Sequence, residues 1–409
     1  MQGYDYLIIG GGIAGTIAAE TIRENDEKGT IAVLSEEPHP LYSRVLLPSY
    51  LKGKVSREQI FLRRAEDMAD KRIDLVLGEK ALFVDLKRQE AGLANGSSVG
   101  FKKLLIASGG TPSAWGKEDI KNFIFRLQTV DDADRLKESL ERIRKPLVIG
   151  ASFIGLEFIE IFVQNNIVPE ILVRGPHFMD KIFDGQGGEI LRDNFDRHGV
   201  TLQTNDSVRD TSVRENEIVV LTESVRRISC DAFALGIGID RNIYFLEGSG
   251  IELGKKGILA NEFLETNIEG IFAAGDVAEV YDVISGRHSV AGNWTSAFLQ
   301  GKTAGLNMTG RKERFMRVAT YSITNLGLQI TALGDCSEAT ETIVRADINK
   351  AQYERFFLKD DCLAGAALIN RFQDKAHISK LIESKTTLGQ YKERLSDWGF
   401  DVHSIPVVA

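Results

Sequence analysis

The segment Gly10-Gly11-Gly12-Ile13-Ala14-Gly15 has the residue types and spacing that bind the phosphates of a dinucleotide. An apolar run, Tyr6–Ile9, precedes it, and a helix-forming run to about Asn25 follows it. In such a turn the first glycine permits the bend, the second lets a diphosphate approach the backbone, and the third lets helix and strand pack closely. The N–H groups and positive end of the helix then attract the phosphates. The segment therefore predicts a dinucleotide site.

Acidic and basic side chains follow the next strand, which is predicted at Thr30–Leu34. A carboxylate about 20 residues after the glycine turn accepts hydrogen bonds from the adenosine ribose. Glu36 is the first candidate for this role, and Glu37 lies beside it. Arg44 follows in a proline-containing block, and its planar guanidinium would suit a diphosphate. The alternative for Arg44 is a solvated loop arginine.

The same pattern recurs at Gly150-Ala151-Ser152-Phe153-Ile154-Gly155. The strand Leu147–Ile149 is predicted before it, a helix starting near Leu156 after it, and the strand Glu170–Val173 closes the unit. Two such turns in matching context predict a duplicated nucleotide-binding architecture. Ser152 replaces the middle glycine, so we expect a phosphate to bind less tightly here, although the hydroxyl can donate to it.

Composition excludes several classes of function. The 409 residues carry a net charge of −8, and no long run of Lys and Arg indicates nucleic-acid binding. The longest apolar stretch, Pro146–Gln164, contains two glutamates, so no membrane span is predicted. The chain enters a strand almost at once, which argues against a secretory signal. Its three cysteines are far apart, as in a protein with reduced thiols. We therefore predict a cytoplasmic protein without a metal site.

The ordered motifs together resemble the pyridine nucleotide–disulfide oxidoreductase superfamily. Within it they are most similar to the single-flavin reductases that include NADH:rubredoxin reductases and the flavin part of assimilatory nitrite reductases. The matching pieces cover nearly the whole chain: Gly10–Gly15, Tyr42-x-Arg44-x-x-Leu47, Ile106-Ala107-Ser108-Gly109, Gly150–Glu157, Gly270–Asp276 and Trp294-x-x-Ala297-x-x-Gln300-Gly301.

The resemblance implies an α/β fold with two Rossmann-like domains, the second inserted into the first, and a C-terminal α+β domain. The FAD-binding domain would comprise residues 1–113 and 245–311, and the NAD(P)H-binding domain residues 114–244. Residues 312–409 would form the C-terminal domain. Its strands are predicted at Thr342–Ala346, Tyr353–Leu358 and Leu363–Ile369, with a helix at Ile378–Glu383. A further strand ending in Gly275-Asp276 is predicted to lead into a helix.

The resemblance also assigns roles on the FAD side. Asp276 would accept a hydrogen bond from a ribityl hydroxyl, or it is a helix cap. The helix starting near Trp294 would direct its positive end at the pyrimidine end of the flavin, or Trp294 only packs in the core. Further contacts to FAD are expected from the neighbouring small residues: Ala107, Ser108, Gly109 and Gly275.

On the nicotinamide side, Phe153 matches an aromatic residue that covers the flavin ring and moves aside for nicotinamide. Glu157 matches a carboxylate near that ring stack, or it is a surface charge. The cofactor itself is expected at the second turn and at one glycine beyond it: Gly150, Ser152, Ile154, Gly155 and Gly236.

The end of the second strand in this domain indicates whether the domain binds NADH or NADPH. NADH-binding domains usually place an acid there, whereas this strand ends in Arg174 and Lys181 follows. Two cations favour a 2′-phosphate and therefore NADPH. Asp180 and Asp184 lie nearby, so NADH stays open.

No cysteine precedes Cys230, so thiol chemistry at the flavin is not expected. We predict that electrons pass from NAD(P)H through FAD to an external acceptor, such as a rubredoxin- or ferredoxin-like protein. The alternatives are an NAD(P)H oxidase that uses oxygen and a flavin-bearing subunit with slow turnover. A homodimer is possible. One basic cluster, which we call the linker cluster, is a candidate docking site for an acidic partner: Arg311, Lys312, Arg314 and Arg317.

Overall fold

The computed structural model describes residues 2–214 and 217–407, which form two compact units. The first unit comprises the chain up to Leu46, Ser56–Thr111 and Ile239–Arg317. The second comprises Leu47–Val55, Pro112–Gly238 and the chain from Val318 onward. Across the described residues, every helix is too short or too polar to span a lipid bilayer.

The N-terminal part of the chain builds most of the first unit. Its elements are β1 (Gln2–Ile9), α1 (Ile13–Asn25), β2 (Ile31–Ser35), α2 (Leu47–Leu51), α3 (Ala65–Asp70), β3 (Ile73–Leu77), β4 (Ala81–Asp85), β5 (Glu90–Leu93), β6 (Ser98–Ile106) and β7 (Gly110–Pro112). Of these, α2 belongs to the second unit. Strand β1 lies between β2 and β6, parallel to both, in a sheet of order β3-β2-β1-β6-β5-β4. Its apolar residues are buried on both faces, as parallel strands require.

The middle part repeats this arrangement in the second unit. Its elements are β8 (Ile124–Phe125), α4 (Val130–Ser139), β9 (Pro146–Ile149), α5 (Phe153–Gln164), β10 (Glu170–Leu172), α6 (Gly185–Arg197), β11 (Thr201–Gln203), β12 (Val208–Arg214), β13 (Glu217–Thr222), β14 (Arg227–Cys230) and β15 (Ala232–Leu235). Strand β9 lies between β10 and β15 in a parallel sheet of order β11-β10-β9-β15-β8. The duplicated Rossmann-like architecture is confirmed.

The chain then returns to the first unit. The elements there are β16 (Ile239–Arg241), β17 (Ile258–Ala260), β18 (Ile271–Ala273), β19 (Ala278–Asp282), β20 (Arg287–Ser289) and α7 (Trp294–Met308). Strand β18 adds to β6 in parallel. The sequence predicted a helix directly after Gly275-Asp276, and this is wrong. Strand β19 follows instead, because Ala278–Val280 is buried and pairs with β17, while Val280–Asp282 pairs with β20.

Helix α7 packs on α1 through small residues. A Cβ at Gly301 would lie 2.2 Å from the Ala14 carbonyl oxygen, and one at Gly305 would lie 2.8 Å from that of Ala18. The two helices therefore run parallel. Because Trp294 precedes Gly301 by two helical turns, the start of α7 extends about 10 Å beyond the start of α1.

The C-terminal part is an antiparallel sheet with one helix. Its elements are β21 (Thr320–Asn325), β22 (Leu328–Gly334), β23 (Glu341–Asp347), β24 (Gln352–Lys359), β25 (Cys362–Ile369) and α8 (Lys375–Glu383). The sheet order is β21-β22-β25-β24-β23. Helix α8 buries Ile378, Leu381 and Ile382. The predicted strands and helix are present as an α+β arrangement.

Candidate functional site

The first glycine turn is shaped by two close approaches of the backbone. Gly10 has φ +122°, a region that side chains disfavour, and a Cβ there would lie 2.1 Å from the Ala107 carbonyl oxygen. A Cβ at Gly15 would lie 1.9 Å from the Gly10 carbonyl oxygen. The turn, α1 and the end of β6 are thereby held in contact.

Gly12 differs from these two glycines. A Cβ at this position would have no other heavy atom within 4 Å, so packing does not require glycine here. Gly12 is also the N-cap of α1, and no side chain caps the helix. The first N–H groups of α1, with their positive partial charge, therefore face space that a diphosphate can fill.

The two glutamates after β2 have different surroundings. The Glu36 side chain is 60% exposed and accepts a hydrogen bond from Lys80 Nζ at 2.8 Å. The Glu37 carboxylate accepts from Tyr42 Oη and from Arg44, each at 2.5 Å. The sequence favoured Glu36 for the ribose, and its exposed carboxylate fits that role. Glu37 instead orients Arg44.

Arg44 connects this end of the site to Asp276. Burial lowers the pKa of Arg44, but its interactions with Tyr42, Glu37 and Asp276 outweigh burial and raise it above the usual value, so Arg44 lies in the field of both carboxylates. Burial raises the pKa of Asp276, while the charges of Arg241 and Arg44 oppose the rise. Among the described residues, no group donates a hydrogen bond to the Asp276 carboxylate. Both of its oxygens are available to a ligand hydroxyl.

Asp276 is brought to the turn by its neighbours. A Cβ at Gly275 would lie 3.2 Å from that of Ala14, and the Gly275 N–H donates to Gln300 Oε1 of α7 at 2.7 Å. Gln300 was part of the sequence motif, but no role was predicted for it. It ties the Asp276 loop to α7.

Ala107, Ser108 and Gly109 follow β6 directly. The Ala107 N–H donates to the Ile9 carbonyl, which keeps this segment beside the turn. The Ser108 hydroxyl donates to the Asn242 carbonyl at 2.8 Å, and Asn242 Nδ2 donates back to the Ser108 carbonyl at 3.0 Å. The Ser108 hydroxyl proton is therefore used in a bond within the protein, and a contact between Ser108 and FAD stays a prediction.

Trp294 is the first residue of α7 and is partly buried against the core of the first unit. Asn293 caps the helix by accepting a hydrogen bond from the Ser296 N–H at 2.9 Å. Since α7 extends beyond the start of α1, its positive end lies on the side of the glycine turn. Core packing and an electrostatic role are both compatible with this position.

The linker cluster lies at the opposite end of α7. Lys103 Nζ donates to the Met308 carbonyl at 2.6 Å, and the cluster begins three residues later. The 14 residue steps from Trp294 to Met308 span about 21 Å. If FAD binds near Trp294 as predicted, an acceptor docked on the linker cluster would be separated from it by about the length of α7, and docking there stays a prediction.

The second glycine turn repeats the backbone of the first. Gly150 has φ +104°, and a Cβ there would lie 2.4 Å from the Gly236 carbonyl oxygen. Ser152 Oγ accepts from the Gly155 N–H at 3.2 Å, so this helix carries its own cap. The cap starts α5 at Phe153, earlier than predicted. Ile154, at 36% exposure, faces outward.

Two of the predicted site residues lie one helical turn apart on α5. The Phe153 ring contacts Tyr321 of β21, with ring centroids 3.9 Å apart and a tilt of 32°. Burial raises the pKa of Glu157 to about 7, and Lys52 opposes the rise. Burial and the Glu157 charge together raise the pKa of Tyr321 to about 12. Glu157 is therefore part of a half-buried aromatic cluster rather than a surface charge.

A buried ion pair lies next to this cluster. Lys52 and Glu160 bond to each other, and each side chain is only 8% exposed. The other Glu160 oxygen accepts from the Leu326 N–H at 3.2 Å. The pair joins residues from three separate parts of the chain, and nothing in the sequence pattern indicated it.

Arg174 and Lys181 are both exposed in the segment after β10. Asp180 folds back on this segment, since a Cβ at Gly175 would lie 2.2 Å from its carboxylate. Asp184 accepts from the Gln186 and Gly187 N–H groups as the N-cap of α6. Asp184 therefore has a structural role, while Asp180 lies against Gly175, the residue after Arg174.

The residues of the first unit fit FAD. Open space at Gly12, the available Asp276 carboxylate and Arg44 between two carboxylates suit a diphosphate that links an adenosine to a ribityl chain. The unit contains no cysteine, because Cys230, Cys336 and Cys362 all belong to the second unit.

Two relatives match nearly the whole chain. The NADH-dependent phenylglyoxylate dehydrogenase subunit epsilon of Aromatoleum evansii is 27% identical over 398 residues, covering 95% of this chain and 94% of its own. The NADH-rubredoxin oxidoreductase of Clostridium acetobutylicum is 26% identical over 385 residues, covering 94% and 96%.

Solved structures confirm the fold. Putidaredoxin reductase in its covalent complex with putidaredoxin superposes with a TM-score of 0.91 at 21% identity, covering 99% of this chain and 98% of its own. NADH:rubredoxin oxidoreductase from Clostridium acetobutylicum gives a TM-score of 0.79 at 25% identity, covering 95% and 97%.

Family models complete the comparison. Residues 322–386 match the rubredoxin NAD+ reductase C-terminal domain. Residues 4–301 match the pyridine nucleotide-disulphide oxidoreductase model, and the chain belongs to that family.

Proposed function

We propose that this protein is an FAD-dependent oxidoreductase that takes a hydride from NAD(P)H and passes electrons to a small redox protein without a redox-active disulfide. The observation that carries the proposal is the pair of glycine turns, one in each unit, with no thiol in the unit that fits FAD. The matched C-terminal family and the relative named NADH-rubredoxin oxidoreductase support a protein acceptor.

Bound FAD would supply the redox chemistry, accepting a hydride and releasing electrons to the acceptor. The protein's own residues bind and orient it. The N–H groups at the start of α1 and the Arg44 guanidinium would hold the diphosphate. Asp276 would accept a ribityl hydroxyl, and Glu36 would accept the ribose hydroxyls.

On the nicotinamide side, Phe153 and Glu157 are the residues we assign to the reacting end of the cofactor. Phe153 presents a ring whose partner in this structure is Tyr321. Glu157, with a pKa of about 7, exchanges a proton near neutral pH. Neither carries a thiol, which agrees with hydride transfer between cofactors without disulfide chemistry.

We further propose that Arg174 binds the 2′-phosphate of NADPH. The side chain is exposed at the end of β10, where an acid would repel this phosphate, and Lys181 adds a second exposed cation nearby. The R174E variant tests this. We expect its KM for NADPH to rise about tenfold while the KM for NADH is unchanged or falls. The exposed Arg197→Glu on α6 is a matched control. If wild type prefers NADH and R174E does not alter the ratio, the NADPH assignment is wrong.

The test of the main proposal is anaerobic stopped-flow reduction of the FAD-loaded protein by NADH and by NADPH. A panel of acceptors follows: a rubredoxin, a ferredoxin and oxygen. We expect flavin bleaching by a nicotinamide and reoxidation by a redox protein faster than by oxygen. Faster reoxidation by oxygen would favour an oxidase, and no bleaching by either nicotinamide would refute the proposal.

A second candidate function is a flavin-bearing subunit of a larger enzyme. The relative from Aromatoleum evansii, which covers almost the same length, is named as a subunit. This candidate would be favoured if a nicotinamide bleaches the flavin but no small redox protein in the panel reoxidises it.

A further inference from the structure

Arg241 has a place in the first unit that no sequence pattern indicated. It ends β16, the strand on which the chain returns to this unit. Its Nε–H donates to the Asp276 carbonyl at 2.9 Å, and one terminal amine donates to the Ile239 carbonyl at 3.0 Å. Two bonds to backbone carbonyls fix the orientation of the guanidinium, so Arg241 is more than a solvated surface charge.

The guanidinium also acts on the Asp276 carboxyl. Two cations oppose the effect of burial on this group, and Arg241 has the larger effect of the two. The other cation is Arg44, and its charge is partly neutralised by its ion pair with Glu37. Within the described part of the chain, Arg241 forms no ion pair with another carboxylate. The helices packed at this point contribute Ala14 and Gln300, which carry no charge.

The proposed role of Asp276 is favoured by this charge. An ionised carboxylate accepts a hydrogen bond from a ribityl hydroxyl more strongly than a protonated carboxyl, which uses one oxygen as a donor and keeps less acceptor capacity. A half-buried carboxyl without hydrogen-bond donors tends to keep its proton. Asp276 must also be held in place. Gln300 binds the residue before it, Gly275, and does not bind Asp276 itself.

We propose that Arg241 is a positioning residue of the FAD site, which fixes the Asp276 loop through the Asp276 carbonyl and supplies the charge that keeps Asp276 a hydrogen-bond acceptor. The proposal rests on the role of Asp276 in FAD binding given above. Arg241 itself need not contact FAD. Its effect on affinity should therefore pass through Asp276 and depend on pH.

The test measures the dissociation constant of FAD for the apoprotein by flavin fluorescence quenching at pH 6, 7 and 8. The variants are R241Q, R241K, D276N and R241Q/D276N, and the exposed R88Q of the same unit is the matched control. Thermal melts of each apoprotein report folding. None of these readouts depends on catalytic activity.

For R241Q, we expect FAD to bind about tenfold more weakly at pH 8, and more weakly still at pH 6, as Asp276 takes up a proton. Wild type and R88Q should vary much less across this range. R241K should restore the flat pH profile, because it returns the charge, but not the full affinity. In the D276N background, the pH dependence caused by R241Q should disappear.

The proposal is overturned if R241Q shows the wild-type affinity and pH profile, or if its pH dependence persists in R241Q/D276N. If R241Q does not fold, R241K is compared with wild type. Because lysine keeps the charge but cannot make both backbone bonds, wild-type FAD affinity in R241K would overturn the positioning role. Failure of the underlying assignment looks different. If D276N binds FAD as wild type does, the role of Asp276 is wrong whatever Arg241 does.

Discussion

The two glycine turns share a backbone but differ at the point where phosphate would bind. Each position of the first turn corresponds to the position 140 residues later in the second, and the first and last glycines are the same in both. Gly10 and Gly150 both have positive φ and both pack against a neighbouring carbonyl. At the middle position, Gly12 leaves α1 uncapped, whereas Ser152 caps α5 with its own hydroxyl.

The helices after the turns, α1 and α5, also share one buried glutamate and differ at the position one turn before it. Glu20 on α1 and the matching Glu160 on α5 are both buried, and both pair with cations. One turn earlier, the buried Ile17 of α1 corresponds to Glu157 of α5. The charged position shared by both helices is therefore part of the architecture, while Glu157, the carboxyl found only on α5, is the one that we propose for the chemistry of its site.

This difference suggests how each site treats its ligand. An uncapped helix start in open space has N–H groups that a bound phosphate satisfies, which suits a cofactor that stays. A helix that caps itself is satisfied without a ligand, which suits a cofactor that comes and goes. We therefore infer a resident FAD at the first turn and an exchangeable nicotinamide at the second.

The largest effect should come from filling the space at Gly12. In G12V the new side chain meets no protein atom at Cβ, and the φ of −71° is ordinary for any residue, so the fold should persist. The side chain would occupy the place of the diphosphate and weaken FAD binding about 100-fold, the equivalent of one or two charge-assisted hydrogen bonds. Fluorescence titration of the apoprotein measures this.

Gly3→Val is the matched control for this variant, because Gly3 also has no neighbouring atom at Cβ within 4 Å but lies in β1. Wild-type FAD affinity in G12V would show that the diphosphate binds elsewhere.

The duplicated fold could be predicted because several sequence patterns agreed. Apolar runs, glycine turns and amphipathic helices recur in the same order in both parts of the chain, and the strands lie within a few residues of their predicted bounds. The helix predicted after Asp276 failed because local pattern cannot show pairing. Strand β19 lies between β20, which follows it after a short turn, and β17, which pairs with it from about 20 residues earlier in the chain.

A smaller effect should follow from replacing the carboxyl that distinguishes α5. The pKa of Glu157 is about 7, raised by burial from an ordinary value of 4.5. Between these values the folded protein keeps a proton that the unfolded chain loses, so the free energy of unfolding falls as pH rises. Partial exposure limits this loss to about 1 kcal/mol. E157Q should abolish it.

Urea unfolding of the apoprotein at pH 5, 6.5 and 8 checks this second prediction. The exposed Glu24→Gln on α1 is the control and should follow wild type. If E157Q and wild type lose the same stability between pH 5 and pH 8, Glu157 does not hold the proton.

The smallest effect should come from making the second turn resemble the first. S152G removes the cap from the Gly155 N–H, at a cost of a few tenths of a kcal/mol in stability, and frees this group for a phosphate. We expect NADP(H) to bind about threefold more tightly, with FAD affinity unchanged. Isothermal titration with NADP+ measures this.

The matched control removes a different cap in the same unit. Thr129 caps α4, so T129G should lose similar stability without altering nicotinamide affinity. Weaker NADP+ binding in S152G would mean that the serine hydroxyl itself contacts the phosphate.

The sequence indicates candidate site residues where a residue lies within its own motif. Arg44 and Asp276 were predicted in this way, and the structure places both in one electrostatic field, while their roles toward FAD stay predictions. Arg241, Tyr321 and the pair of Lys52 with Glu160 could not, because each acts through a neighbour far away in sequence. Nothing in the order of residues shows that a return strand would bring an arginine to the Asp276 carbonyl.

The distinction between a resident and an exchangeable cofactor can be measured directly. Protein loaded with both FAD and NADP+ is passed over a gel-filtration column, and each cofactor that remains is quantified by absorbance. We expect about one FAD for each chain and almost no nicotinamide. Loss of both cofactors, or retention of NADP+ with loss of FAD, would contradict the assignment of the two turns.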